Sequence, residues 1–158
     1  MKKLDRTDLE LIELLQNEAR LSNKELANRV GLAPSSCHTR VKQLEEAGVF
    51  RGAYADVDER AMGVGQQALY FISLSQHSRG CCEKFMEDMS KLPQVITIYL
   101  VSGKTDFVMH VMEKDTASLR NFSLDHITIR PEVSHIETSL IFERTHNTTV
   151  PCYLDVSD

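Results

Sequence analysis

The sequence predicts an α+β protein with a helical N-terminal part and a C-terminal part of mixed strands and helices. Apolar residues recur at helical spacing until about residue 48. After about residue 60, short runs in which apolar and polar residues alternate are separated by stretches with helical spacing. A chain of 158 residues has room for two small domains. We therefore predict a helical domain over residues 1–50, a linker strand over 51–65 and an α+β domain over 66–158.

The first helix is predicted by its N-terminal cap and its apolar stripe. Asp5 and Asp8 are placed to cap it, and Leu4 and Leu9 can close over its first turn. The stripe at helical spacing consists of Leu9, Ile12, Leu15 and Ala19.

Two further helices follow with a short turn between them. Ser22 and Glu25 form a capping-box pattern for the second helix, which should end at Gly31. Pro34 suits the first turn of the third helix, which should end at Gly48. Ala33 is in the capping position, where it should lower the stability of the helix by about 0.5–2 kcal/mol relative to serine. Two helices joined in this way are typical of a helix-turn-helix, whose second helix enters the DNA major groove.

The polar face of the third helix points to nucleic acid. Its apolar stripe should pack inward, while short hydroxyls and cations face out. Residues 20–44 hold five Lys/Arg against one Glu, whereas residues 61–158 hold eight Lys/Arg against twelve Asp/Glu. The predicted DNA-binding residues are Arg29, Ser35, Ser36, His38, Thr39, Arg40, Lys42 and Gln43. At this point a helix-turn-helix that only packs against other proteins remains an alternative.

Composition argues against metal, redox and membrane roles. The net charge is −5, and the four cysteines and six histidines show no metal-ligand spacing. We expect no cofactor, no metal and no enzymatic activity. There is no targeting segment and no apolar run near the ~18 residues of a membrane span, so we expect a cytoplasmic protein.

The C-terminal part reads as strand, helix, strand, strand, helix, strand. Ahead of this part, polar and apolar residues alternate over residues 49–57 in a pattern that is typical of a strand or wing. The predicted strands are 67–74, 95–101, 106–113 and 133–143, with helices around 82–92 and 115–129. In each half a proline, Pro93 or Pro131, stands two residues before the valine that opens the next strand. This order predicts a ferredoxin-like βαββαβ fold.

The first strand of this fold is apolar on both faces. Ala68, Tyr70, Ile72 and Leu74 alternate with Leu69, Phe71 and Ser73. Because the helices cover one face only, the other should bury against a second subunit. A homodimer also suits DNA, since a two-fold related pair of helices reads paired half-sites.

The chain resembles the Lrp/AsnC (feast/famine) transcriptional regulators along its whole length. The resemblance rests on residues spread over both domains: Leu4, Asp5, Asp8, Ile12, Ser22 to Leu26, Ala27, Val30 to Leu32, Pro34, Arg40, Val41, Leu44, Gly48, Val49, Val101 to Gly103, Asp106, Pro131, Val133, Thr138 and Thr148 to Pro151. It implies a winged helix-turn-helix, a ligand-sensing (RAM) domain and dimers that often assemble into octamers. It also implies transcriptional control by a small effector, usually an amino acid.

A glycine turn in the second domain is the predicted effector site. Exposed backbone N–H groups at Gly103 could bind a carboxylate, and Asp106 could accept from an ammonium group. By analogy with the family's intersubunit pocket, the full set of candidates is Tyr99, Val101, Gly103, Lys104, Thr105, Asp106, Thr138 and Ser139. Lys104 and Thr105 stand where the family often has acidic and aromatic residues, which leaves the ligand open. The alternative is that Gly103 only closes a hairpin and Asp106 caps it locally.

Two other functions remain alternatives. Sirohaem decarboxylases share this architecture, but a substrate with many carboxylates calls for clustered cations, and Arg79, Arg120, Arg130 and Arg144 are widely spaced. The other alternative is an architectural DNA-binding protein that responds to no effector.

Overall fold

The computed structural model describes residues 3–76 and 78–154 and divides them into two compact units. One unit holds the residues up to Asp56 together with those from Thr145 onward, and the other spans Val57–Arg144. The last segment was predicted within the C-terminal domain. It joins the helical unit because the Thr149 hydroxyl donates to Asn17 at 3.3 Å and the Val150 N–H donates to Gln16 at 2.7 Å.

The described residues of the helical unit form three helices: α1 (Arg6–Asn17), α2 (Asn23–Arg29) and α3 (Pro34–Glu46). The predicted capping boxes at the starts of α1 and α2 are both present, and α3 begins after Ala33 without a side-chain cap. Gly31 and Gly48 end α2 and α3 with φ of 68° and 70°, values that favour glycine. The core of this unit consists of Leu11, Leu21, Leu26, Ala27, Cys37 and Leu44.

The segment after α3 differs from the prediction of a strand or wing. Residues 49–58 form no regular element, and a single 3₁₀ turn follows at Glu59–Met62. A strand needs a hydrogen-bonded neighbour, and no described strand pairs with this segment. Alternation alone therefore misassigned the linker strand predicted over residues 51–65.

The second unit has the predicted βαββαβ order. Its elements are β1 (Gln66–Leu74), α4 (Arg79–Ser90), β2 (Val95–Leu100), β3 (Phe107–Glu113), α5 (Thr116–Phe122) and β4 (Val133–Leu140). The antiparallel sheet has the strand order β2-β3-β1-β4, which is ferredoxin-like. The last strand ends three residues earlier than predicted, and α5 continues into a π-helical turn at Ser123–Thr128. In the described part of the chain no helix is both long and apolar enough to cross a membrane.

One face of the sheet carries the core with α4 and α5. The buried residues of β1 are Ala68, Tyr70, Ile72 and Leu74, and they pack in one cluster with Phe85, Met89, Leu119 and Phe122. The Tyr70 hydroxyl donates to the Leu119 carbonyl at 2.7 Å, which ties β1 to α5. Burial, with a smaller effect from Glu113, raises the pKa of Tyr70 to about 12.

The opposite face of the sheet carries apolar side chains from β1, as predicted. Leu69 and Phe71 stand there half-buried, opposite His110 and Val108 of β3. Tyr99 of β2, paired with Val108, is 56% exposed on the same face.

Candidate nucleic-acid and effector sites

The outward face of α3 carries the predicted hydroxyls and amides. Ser35, Ser36, Thr39, Lys42 and Gln43 are all exposed, while Cys37 and Leu44 are buried behind them. The Thr39 hydroxyl donates to the Ser35 carbonyl at 3.0 Å, and Lys42 lies 3.7 Å from Glu46 in an exposed ion pair. An exposed pair of this kind contributes little stability.

Arg40 differs from the other predicted DNA-binding residues. Its Nη1 atom donates to Asp5 at 2.6 Å and to Asp8 at 2.9 Å, and the Asp8 side chain is only 1% exposed. The hydrogen bonds that the guanidinium donates to Asp5 and then to Asp8 raise the pKa of Arg40. Helical spacing had placed Arg40 beside the outward face, but the structure directs it against the start of α1.

His38 and Arg29 lie at the edges of the predicted surface. His38 lines a cavity of about 460 Å³ on the flank of α3, together with Leu15, Val41 and Phe50. Arg29 is exposed and lies 3.3 Å from Glu18. The outward set on α3 itself is therefore narrower than the set predicted from the sequence.

The glycine turn between β2 and β3 is braced from within its own unit. The Thr105 hydroxyl and the Asp106 N–H both donate to the Ile72 carbonyl, at 2.8 and 2.9 Å. The Asp106 carboxylate accepts from the Leu74 N–H at 2.7 Å. Gly103 has φ of 123°, with no atom near the position of an added Cβ. The alternative role predicted for Asp106 was a local cap of the glycine turn, whereas its carboxylate bonds the end of β1 in this structure.

The remaining effector candidates do not meet within one chain. Val101 and the exposed Lys104 stay with the turn, whereas Thr138 and Ser139 lie on β4 at the opposite edge of the sheet from Tyr99. Three inter-strand steps separate β2 from β4, or about 14 Å. Thr138 and Ser139 are consecutive strand residues and so face opposite sides of the sheet. A pocket that uses both Tyr99 and Ser139 needs more than one copy of the chain.

The second unit contains a polar cavity of about 290 Å³ that was not predicted from the sequence. Its lining residues come from separate segments: Gln94, Glu113, Lys114, Ser118, Asn121, Phe122, Asp125 and His126. Gln94 Oε1 is the one buried side-chain oxygen or nitrogen in the described residues without a hydrogen-bond partner. No motif links these positions, so only the fold could bring them together. Within residues 3–76 and 78–154, no cluster of His, Cys, Asp and Glu could hold a metal ion.

A helix-turn-helix with a polar outer helix, joined to a separate βαββαβ unit, defines a DNA-binding regulator with a sensory domain. Two family models agree with this class. Residues 4–51 match a winged helix-turn-helix DNA-binding domain, and residues 67–151 match the Lrp/AsnC ligand binding domain. The chain belongs to the Lrp/AsnC family of transcriptional regulators.

Similar proteins share both units. The HTH-type transcriptional regulator AldR of Mycolicibacterium smegmatis is 41% identical over 142 residues, which cover 90% of this chain and 83% of AldR. The transcriptional regulator AzlB of Bacillus subtilis is 37% identical over 152 residues, 96% of each chain. A transcriptional regulator of Neisseria meningitidis, crystallised with L-methionine, superimposes with a TM-score of 0.87 at 31% identity, covering 94% of this chain and 97% of that one. These relatives are transcriptional regulators, which confirms the predicted class of function.

Proposed function

We propose that the chain is a cytoplasmic, non-enzymatic regulator that reads its operator with α3 and responds to an amino acid. The observation that carries the proposal is the polar outward face of α3 in a helix-turn-helix unit distinct from the ligand-binding unit. The L-methionine complex of the Neisseria meningitidis regulator supports an amino acid as the effector class.

The proposed DNA contacts are the outward residues of α3: Ser35, Ser36, Thr39, Lys42 and Gln43. Gln43 can bond the adenine edge, the serine and threonine hydroxyls can bond bases or phosphates, and Lys42 supplies a phosphate contact. Lys42→Ala should weaken binding on every sequence and lower the salt slope of log K by about 0.9. An unchanged slope would remove Lys42 from the interface.

The proposed assembly is a homodimer through the open sheet face, with further association to an octamer. Leu69, Phe71 and Tyr99 offer apolar side chains there that α4 and α5 do not cover. The separation of Tyr99 from Ser139 within one chain supports an effector pocket built between subunits. Mass measurement in solution distinguishes dimer from octamer.

A thermal-shift screen against the twenty amino acids tests the effector proposal. At 100 times its dissociation constant an effector stabilises the folded state by about 2.7 kcal/mol, so a specific ligand should raise the melting temperature clearly. Tyr99→Ala and Ser139→Ala should reduce that shift, while Lys91→Ala at the exposed C-terminal end of α4 should leave it unchanged. No shift with any amino acid would favour an architectural protein that responds to no effector.

A further inference from the structure

Arg40 belongs to a polar cluster between α1 and α3. One guanidinium nitrogen contacts both Asp5 Oδ2 and Asp8 Oδ1. The other two carboxylate oxygens belong to the capping box: Asp5 Oδ1 accepts from the Asp8 N–H at 2.8 Å, and Asp8 Oδ2 accepts from the Asp5 N–H at 3.4 Å. All four carboxylate oxygens are therefore engaged, and the geometry joins the first turn of α1 to the middle of α3.

This cluster engages Nη1 of Arg40 and holds the guanidinium near the start of α1, which disfavours a contact between that nitrogen and DNA phosphate. A phosphate at Nη1 would have to compete with two carboxylates already in contact with that nitrogen, one of them on a fully buried residue. Removing the arginine from such a pair leaves a buried carboxylate without its countercharge, which is strongly unfavourable.

The start of α3 is held by a polar contact from outside the helix. Ala33 provides no side-chain cap, and the first turn is held from outside by Asn23, whose amide donates to the Pro34 carbonyl at 2.8 Å. The Arg40 cluster supplies a second polar tie about a turn and a half further along. Two polar contacts at different positions along the helix restrain the rotation of α3 about its own axis. That rotation decides which side chains face the DNA groove.

We propose that Arg40 is a positioning residue for DNA recognition, which orients α3 through Asp5 and Asp8 and makes no phosphate contact. The inference rests on the proposed reading of DNA by α3. It assigns specificity to the outward residues around Thr39 and Gln43 and gives Arg40 an indirect part in it.

The test compares variants of the full chain on two duplexes of equal length. One duplex is the tightest-binding sequence that the wild-type protein selects from a randomised library, and the other is its scrambled counterpart. Affinity is measured on both over a range of salt concentrations, well below the melting temperature of each variant. The variants are Arg40→Ala, Arg40→Lys, the pair Asp5→Asn/Asp8→Asn, and Lys42→Ala as the phosphate-contact control.

We expect Arg40→Ala to leave the salt slope unchanged and to reduce the ratio of selected to scrambled affinity about tenfold. Its melting temperature should fall by about 10 °C. The Asp5→Asn/Asp8→Asn pair should lose specificity similarly although it retains the arginine. Arg40→Lys should recover part of the ratio, because an ammonium group can approach both carboxylates.

Three results would overturn the positioning role. A salt slope lowered by about one in Arg40→Ala would show a phosphate contact, and a lower melting temperature with an unchanged affinity ratio would show a purely structural role. An unchanged slope in Lys42→Ala, together with an unchanged ratio in Arg40→Ala, would overturn the proposed reading by α3 and the positioning role with it.

Discussion

The carboxylate of Asp106 accepts a hydrogen bond from the backbone N–H of Leu74 at a distance of 2.7 Å. Leu74 is the last residue of β1, and Asp106 directly precedes β3. The bond therefore joins the end of β1 to the start of β3, next to the glycine turn. A residue expected to bind the ammonium group of an effector thus also supports the architecture of the turn.

Asp106→Ala should destabilise the protein by about 1.5–3 kcal/mol, because the Leu74 N–H loses a charged acceptor. Urea denaturation measures the change, and Lys104→Ala in the same turn is the matched control, since its side chain is exposed. Equal stability of the two variants would contradict this role for Asp106. The loss must also be subtracted before any effect of Asp106→Ala on effector binding is interpreted.

Gly65→Ala should destabilise the protein by about 1–3 kcal/mol. A Cβ at Gly65 would lie 2.2 Å from the Lys114 carbonyl oxygen, and the Gly65 N–H already donates to the Glu113 carbonyl at 3.0 Å. Gly80→Ala is the matched control with the opposite sign. No atom lies near its added Cβ, and α4 should gain about 0.4–1 kcal/mol. Thermal melting of both variants tests the pair, which fails if Gly65→Ala melts at or above the wild-type temperature.

Ala33→Ser should stabilise the helical unit by about 0.5–2 kcal/mol. Ala33 already has the extended backbone of an N-cap, with φ of −66° and ψ of 143°, but no side-chain oxygen for the first N–H groups of α3. Ala47→Ser at the other end of α3 should bring no such gain. The urea midpoints of both variants measure these changes. An unchanged midpoint in Ala33→Ser would contradict the prediction.

Protein stability should fall as the pH drops below about 6.5, because the unfolded chain then takes up a proton at His110 more readily than the folded protein does. Burial, and next the charge of Arg144, hold the pKa of His110 below its ordinary value of 6.5 in the folded state. The unfolded chain therefore binds the proton first, and the stability present above pH 6.5 is lost as the pH falls through the folded pKa.

His110→Gln should flatten this dependence between about pH 7 and pH 5. The exposed His146 serves as the control, and His146→Gln should keep the slope of the wild-type protein. Urea midpoints at fixed protein concentration give the profile. A slope that persists in His110→Gln would assign it to other groups.

Local chemistry in the sequence was enough for the elements and their order. The capping residues Asp5 and Ser22, the glycines that end α2 and α3, and the alternation of β1 act over a few residues, so their structural consequences follow from neighbours in the chain. The order of those elements and the outward face of α3 followed from the same periodicities.

Tertiary structure decided what each polar group contacts. Arg40 meets Asp8 across 32 positions, and Asp106 meets Leu74 across another 32, so helical or strand spacing could not assign either partner. The segment after α3 alternates as a strand does but has no described neighbour to pair with. Periodicity determines which side chains can be buried, whereas hydrogen-bond and charge partners depend on distances in the folded chain. The helix-turn-helix and the sheet were therefore predictable from the sequence, while the structural roles of Arg40 and Asp106 emerged only from the fold.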